Sequence, residues 1–155
     1  MRLRGYRDRD LPLLSGHWLP GELLGLPLPD WPALAPPSRM APPADQDEEL
    51  CVVSDTAVVR FAEIDWINRR ARLEIGWHRQ DTEGLDALLA TAVDDGLRRL
   101  NLRRLDGLVT VTPRATPTAA VLTAAGFRRE ATVPEHLWLD GHTVDREIWG
   151  VTDHD

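Results

Sequence analysis

Residues 72–99 read RLEIGWHRQDTEGLDALLATAVDDGLRR, and the reading of this stretch decides the fold. Leu73, Ile75 and Trp77 alternate with Arg72, Glu74 and Gly76, which is the period of a strand. From Leu85 the apolar residues fall at Leu85, Leu88, Leu89, Ala92, Val93 and Leu97, one face of a helix. A short polar turn, Arg79 to Glu83, closed by Gly84, joins the two. A strand that enters a helix through a tight turn aims free backbone N–H groups and the positive end of the helix dipole at one point. Such a point suits a phosphate or another anion.

Upstream, Leu50 to Ser54, Ala57 to Ile67 and Ala71 to Trp77 read as strands joined by turns at Asp55-Thr56 and Asn68-Arg69-Arg70, an antiparallel meander. Met1 to Tyr6 reads as a short first strand. Asp8 or Asp10 is an N-cap signal for a helical run through Leu11, Leu13 and Leu14, with Pro12 in its first turn. Residues 19–49 hold most of the prolines, so an irregular insertion is expected there. Its acidic end, Asp45 to Glu49, reads as a solvated loop or as a mobile wall over a cleft. Downstream, the helix ends near Gly96 to Asn101 and Leu105 to Val111 is a strand. Pro117 to Ala125 is a short helix stopped by Gly126. Phe127 to Val133 and Val144 to Val151 are the last strands, turning at Asp140-Gly141. The order describes a single α+β domain across residues 1–155, a mixed, mostly antiparallel sheet flanked by helices.

A chain of 155 residues with 43% apolar content can bury a real core. Eighteen basic against 25 acidic residues give a formal charge of -7, which leaves no basic surplus for a nucleic-acid groove. The single cysteine, Cys51, opens an apolar run and reads as a buried, inert thiol, and no cysteine spacing of a metal site is present. The start, MRLRGYRDRD, is too charged for a signal peptide, and no apolar run is long enough to span a bilayer, so a cytoplasmic protein is expected.

The run GFRREATVPEHLWLDGHTVDREIWGV, Gly126 to Val151, resembles the C-terminus of the ribosomal-protein-alanine acetyltransferase branch of the GNAT N-acetyltransferase superfamily. The residues that carry the resemblance are Gly126-Phe127, Glu130, Leu139-Asp140-Gly141 and Asp145. LRGYRDRDLPLL is similar to that branch's opening strand and helix, and EIDWINRRARLEIGW to its central hairpin. The resemblance spans Arg2 to Leu14 and Cys51 to Val151. It implies a GNAT-like fold, acetyl-CoA as cofactor and transfer of an acyl group to an amine.

On this resemblance the cofactor-binding set is Trp77, Arg79, Gln80, Thr82, Glu83 and Gly84, with Thr118 on the later helix. The sequence departs from the family's loop, because Thr82 stands where a glycine is usual, and Asp81 and Glu83 bring negative charge toward an expected diphosphate. Ala115 and Leu122 replace the Asn and Tyr of the family's later helix. Glu74 on the central strand is the candidate general base, followed by His78 and Asp65. Trp66 and Trp31 are candidates for substrate contact, as apolar walls of low entropic cost; Trp66 and Trp77 serve equally as core. Two readings stand. One is an acyl-CoA-dependent N-acetyltransferase acting on an amine of a small molecule or a protein N-terminus. The other is a protein of the same fold that has left acetyl-CoA and works as a coenzyme-independent enzyme on a small apolar metabolite, or as a binding module. The expected partners are a small-molecule or peptide amine and, through an exposed terminal hairpin, a second copy of the chain. Neither nucleic acid, membrane nor metal is expected.

Overall fold

A computed structural model describes residues 1–27, 38–111, 118–139 and 141–153. Trp31, Ala115, Pro117 and Asp140 lie outside the described residues.

Three antiparallel strands form the centre: β4 (Glu49–Val53), β5 (Ala57–Asp65) and β6 (Arg70–Trp77). A two-residue strand, β1 (Arg4–Gly5), pairs with β4 at the edge. Two further short strands, β2 (Ser15–Gly16) and β3 (Ser38–Arg39), pair with each other apart from this sheet. After β6 the chain turns into α1 (Leu85–Asp94), and Asp95–Arg99 continues it as a π turn. Then follow β7 (Arg104–Thr110), α2 (Thr118–Ala124), β8 (Arg128–Leu139) and β9 (His142–Thr152). The seven-stranded sheet has the order β1-β4-β5-β6-β7-β9-β8, with β6 and β7 parallel and the other pairs antiparallel. This is the mixed, mostly antiparallel architecture that the sequence predicts.

The period-2 pattern sorts each strand's side chains onto two faces. Phe61, Leu73, Ile75 and Leu105 join Leu85, Leu88, Leu89 and Ala92 of α1 and Leu122 of α2 in the main core. On the opposite face, Leu50, Val52 and Val58 are covered by Leu14 and Trp18. Cys51 is buried, and burial raises its thiol to about 11, so it stays protonated.

Two elements differ from the sequence reading. The first helix is a 3-10 helix over Asp8–Leu14, entered from extended Arg7 rather than from an acidic cap. Asp10 instead accepts the Arg7 amide at 2.9 Å and both Arg4 guanidinium nitrogens at 2.8 and 2.6 Å. The last hairpin is longer than expected, because β8 runs on past Pro134 to Leu139. Pro134 sits where the pairing register with β9 shifts, and β8 is an edge strand, so no ladder bond is lost. Trp138 is 71% exposed on that hairpin, whereas Trp149 packs in the core.

The Arg4 hydrogen bonds hold the Asp10 carboxyl at about 2, well below its usual 3.8. A lowered folded-state value means stability that is complete above pH ~4 and lost as pH falls toward ~2. Asp10→Asn therefore lowers the melting temperature at neutral pH, and the gap to the parent protein closes on acidification to pH ~2, measured by thermal denaturation across that range.

Candidate active site

The parallel pairing of β6 with β7 is short: Arg70, Ala71 and Arg72 pair with Arg104, Leu105 and Asp106. Beyond that point Leu73–Trp77 and Gly107–Thr110 diverge, and residues 22–25 run between them, parallel to both. The Leu23 amide donates to the Leu108 carbonyl at 2.8 Å, and the Leu23 carbonyl accepts the Ile75 amide at 3.1 Å. The Gly25 amide donates to Ile75 O at 2.9 Å, and the Gly25 carbonyl accepts the Trp77 amide at 2.9 Å. The amides that the parted strand would offer a ligand at Ile75 and Trp77 are thus taken by the chain itself.

The inserted segment fits its slot closely. Leu23 is fully buried over Gly107, where an added Cβ would come within 2.3 Å of Leu23 Cδ1. Trp18 lies flat over Gly76, with its indole 2.4 Å from where a Cβ would stand. Glu22 anchors the segment at β7. One of its carboxylate oxygens accepts the Thr110 amide at 3.0 Å, and the other accepts the Thr110 hydroxyl and Arg146 Nη2, the latter at 2.9 Å. Arg146 also donates to Pro20 O at 2.7 Å and to Thr110 Oγ1 at 3.2 Å. Burial pushes the Glu22 carboxyl upward, and Thr110 and Arg146 oppose it.

At the β6–α1 junction the sequence-predicted residues Trp77, Arg79, Gln80, Thr82, Glu83 and Gly84 do come together, but they serve one another. Gly84 precedes the helix at φ +85°, a left-handed conformation that glycine takes without strain. Trp77 is buried, and its indole N–H donates to Asp81 O at 2.8 Å. Asp81 accepts from Arg79 Nη2 at 3.2 Å and from the Glu83 amide at 3.0 Å, and these two bonds hold its carboxyl below the usual range. A fixed carboxylate therefore already sits at the amide that an outside anion would seek. The Thr82 carbonyl accepts the Leu85 amide at 3.1 Å. Gln80 borders a cavity of about 290 Å³ with His78, Trp77 and Pro27. Thr118 is buried at the start of α2.

Glu74 is not the solvent-facing member of an alternating strand. It is 8% exposed and borders a cavity of about 500 Å³ lined also by Pro20, Gly21, Met40, Arg60 and Arg72. Arg72 Nε lies 3.0 Å from its carboxylate. His78 places Nε2 at 2.8 Å from the Leu13 carbonyl and meets Trp18 edge-on at 4.9 Å. A carbonyl only accepts, so Nε2 carries the hydrogen and His78 braces Trp18. Asp65 does not join Glu74. It closes β5 at the turn into β6, where it accepts the amides of Ile67 and Asn68 at 3.1 and 2.9 Å and the Asn68 side chain at 2.9 Å. The Asn68 bonds hold its carboxyl below the usual range, which makes it a weak base. Trp66 stands in the same turn, 46% exposed, and lines neither cavity described above. No group of three or more His, Cys, Asp or Glu able to hold a metal occurs among the described residues.

Sequence reasoning missed Trp18, Glu22, Thr110 and Arg146. One signal was available: Glu22 is the single charged residue in the apolar run from Leu11 to Pro29. A lone carboxylate in such company needs a buried partner.

No protein-family model matches the sequence, and no curated protein is matched by it. Solved structures do match. A single-substitution variant of the SpeG spermidine N-acetyltransferase from Vibrio cholerae is 20% identical, with a TM-score of 0.73 over 98% of this chain and 95% of that one. A chimera of the Vibrio cholerae enzyme with hSSAT is 25% identical, with a TM-score of 0.63 over 70% of this chain and 68% of that one. By fold this chain is a GNAT-superfamily protein. The membership places the parted β6–β7 pair and the β6–α1 turn at the centre of attention. Truncating the leucine seated between those strands, Leu23→Ala, costs about 2–5 kcal/mol of stability in urea denaturation, as expected of a fully buried leucine.

Proposed function

We propose that this GNAT-fold chain is an acyl-CoA-dependent N-acetyltransferase acting on an amine of a small molecule or of a protein N-terminus. The observation that carries the reading is the parting of β6 from β7 ahead of a strand–turn–helix junction, in a fold shared along 98% of the chain with a spermidine N-acetyltransferase. Similarity to that enzyme favours a small cationic amine. The C-terminal run Gly126 to Val151 favours instead the branch that modifies protein N-termini. The cavity at Glu74 is lined by the carboxylates of Asp45, Asp47, Glu48, Glu63 and Glu74 against the guanidiniums of Arg39, Arg60 and Arg72, a negative balance that suits a cationic acceptor. Glu74 is the residue we assign to take the proton from the acceptor's ammonium group. His78 acts through Trp18, at one remove from the acceptor.

As arranged, the residues do not fit acetyl-CoA. Leu23 and Gly25 hold the main-chain groups of β6, and Asp81 holds the turn's amide. The same observation favours a second reading, in which the protein has left acetyl-CoA and works as a coenzyme-independent enzyme or a binding module. The remaining elements of the proposal are a single domain over residues 1–155, a cytoplasmic setting and self-pairing through the β8–β9 hairpin. No described helix is long and apolar enough to cross a membrane.

Incubation with acetyl-CoA and a panel of polyamines and N-terminal peptides, with release of the free thiol as readout, tests the first reading. Thiol release that depends on the acceptor, and a fall of about 10²–10⁴ in turnover for Glu74→Gln, are expected. Turnover of an apolar substrate without any coenzyme establishes the second reading instead.

A further inference from the structure

We infer that the cavity beside Glu74 is built for an amino acid with a basic side chain, its carboxylate bound by Arg39, one ammonium group by Glu74 and the other by Asp45 and Asp47. The inference rests on the acceptor role given to this cavity above and names the class of acceptor.

The floor of the cavity carries an unfinished contact. Glu74 is 8% exposed, and its carboxylate accepts no hydrogen bond from the described residues. Arg72 Nε stands 3.0 Å away, yet this buried nitrogen has no hydrogen-bond partner, so the two groups are close but misaligned. Arg72 is also drawn the other way, toward Glu63 at 3.4 Å. A carboxylate buried without a donor is costly. An ammonium group, with its three N–H donors, supplies what the guanidinium does not. The other buried guanidinium is already committed: Arg60, 6% exposed, donates to Glu48 and to the Ala41 carbonyl.

The exposed side of the same cavity carries charges of both signs that the protein leaves unmatched. Asp45 and Asp47 line it, and neither forms an ion pair among the described residues. Arg39 lines it too, and it likewise has no carboxylate partner among the described residues. Its backbone is held by the pairing of β3 with Ser15. The three arginines of the lining are therefore not equivalent. Arg60 and Arg72 face carboxylates of the protein, whereas the Arg39 guanidinium is uncommitted. A bare diamine matches the carboxylates but brings like charge toward Arg39, which opposes it. A guanidinium forks onto a carboxylate through two parallel N–H bonds. The ligand that satisfies the whole lining has two ammonium groups and one carboxylate, which is a dibasic amino acid. Its net positive charge also agrees with a lining in which five carboxylates face three guanidiniums.

Three ligands of similar size separate these contacts. Lysine carries all three groups, cadaverine is lysine without the carboxylate, and norleucine is lysine without the side-chain ammonium. Each is titrated calorimetrically into the full chain in the absence of coenzyme. Lysine is expected to bind about tenfold or more tightly than either of the others, the loss that one charge-assisted contact gives. Arg39→Gln brings the affinity for lysine down to that for cadaverine and leaves cadaverine binding unchanged, a split that a merely structural role of Arg39 does not produce. Glu74→Gln weakens all three ligands. Should a variant fail to fold, the ranking of the three ligands on the parent protein carries the test. Cadaverine binding as tightly as lysine, or Arg39→Gln weakening both alike, overturns the inference and leaves an amine acceptor at Glu74 intact. No binding of any of the three at millimolar concentration overturns the inference together with the acceptor role of this cavity, and thiol release with peptide acceptors then decides the transferase reading separately.

Discussion

The structure depends on what happens to the backbone of β6 after Arg72. Up to that residue its amides and carbonyls face β7; beyond it they face a widening gap in the middle of a core. Buried N–H groups left without partners destabilise a fold by about 1–3 kcal/mol each. Something must therefore lie between the strands, and here it is the chain's own segment 22–25. The residues around that segment are arranged to permit it. Gly107 leaves room for Leu23, Gly76 for the indole of Trp18, and His78 holds that indole from the side. The chain has solved locally a problem that its sheet topology creates.

Charge is used in the same economical way. The formal charge of -7 is not carried by bare carboxylates in the interior. Glu22 meets Arg146, Asp10 meets Arg4, and Glu48 meets Arg60, which also donates to the Ala41 carbonyl. The last contact folds the acidic end of the proline-rich stretch onto β5, so that part of the predicted solvated loop lines the cavity that Glu74 borders.

How much of this could be read from the residues follows from the range of the forces involved. The meander β4–β5–β6, helix α1 and the strand after it are encoded by periodicity within each element, and their positions agree with the structure to within one or two residues. The β6–α1 junction was legible too, since strand period, turn residues and helix period adjoin in sequence. The continuation of α1 as a π turn was not. Gly96 lies in that turn, and its missing side chain admits Phe61 and Leu105, partners that no local window contains. The occupied slot was beyond sequence reasoning for a stronger reason. Four residues flanked by prolines show no period, and their partners lie on strands some 50 to 120 positions away. A pattern of spacings identifies the walls of a site and is silent about what stands between them.

The pairing of Glu22 with Arg146 also fixes an order of events. The two residues are separated by 124 positions, so one half of the pair exists long before the other during synthesis. Closing a loop of that length carries an entropic cost that is repaid only after β7 and β9 have docked. Until the final strand is laid down, the Glu22 carboxylate has no counter-charge, although the leucines beside it already have their partners on β6 and β7. The burial of that one carboxylate is therefore completed only when β9 is in place, and the integrity of the far C-terminal strand governs how it is held.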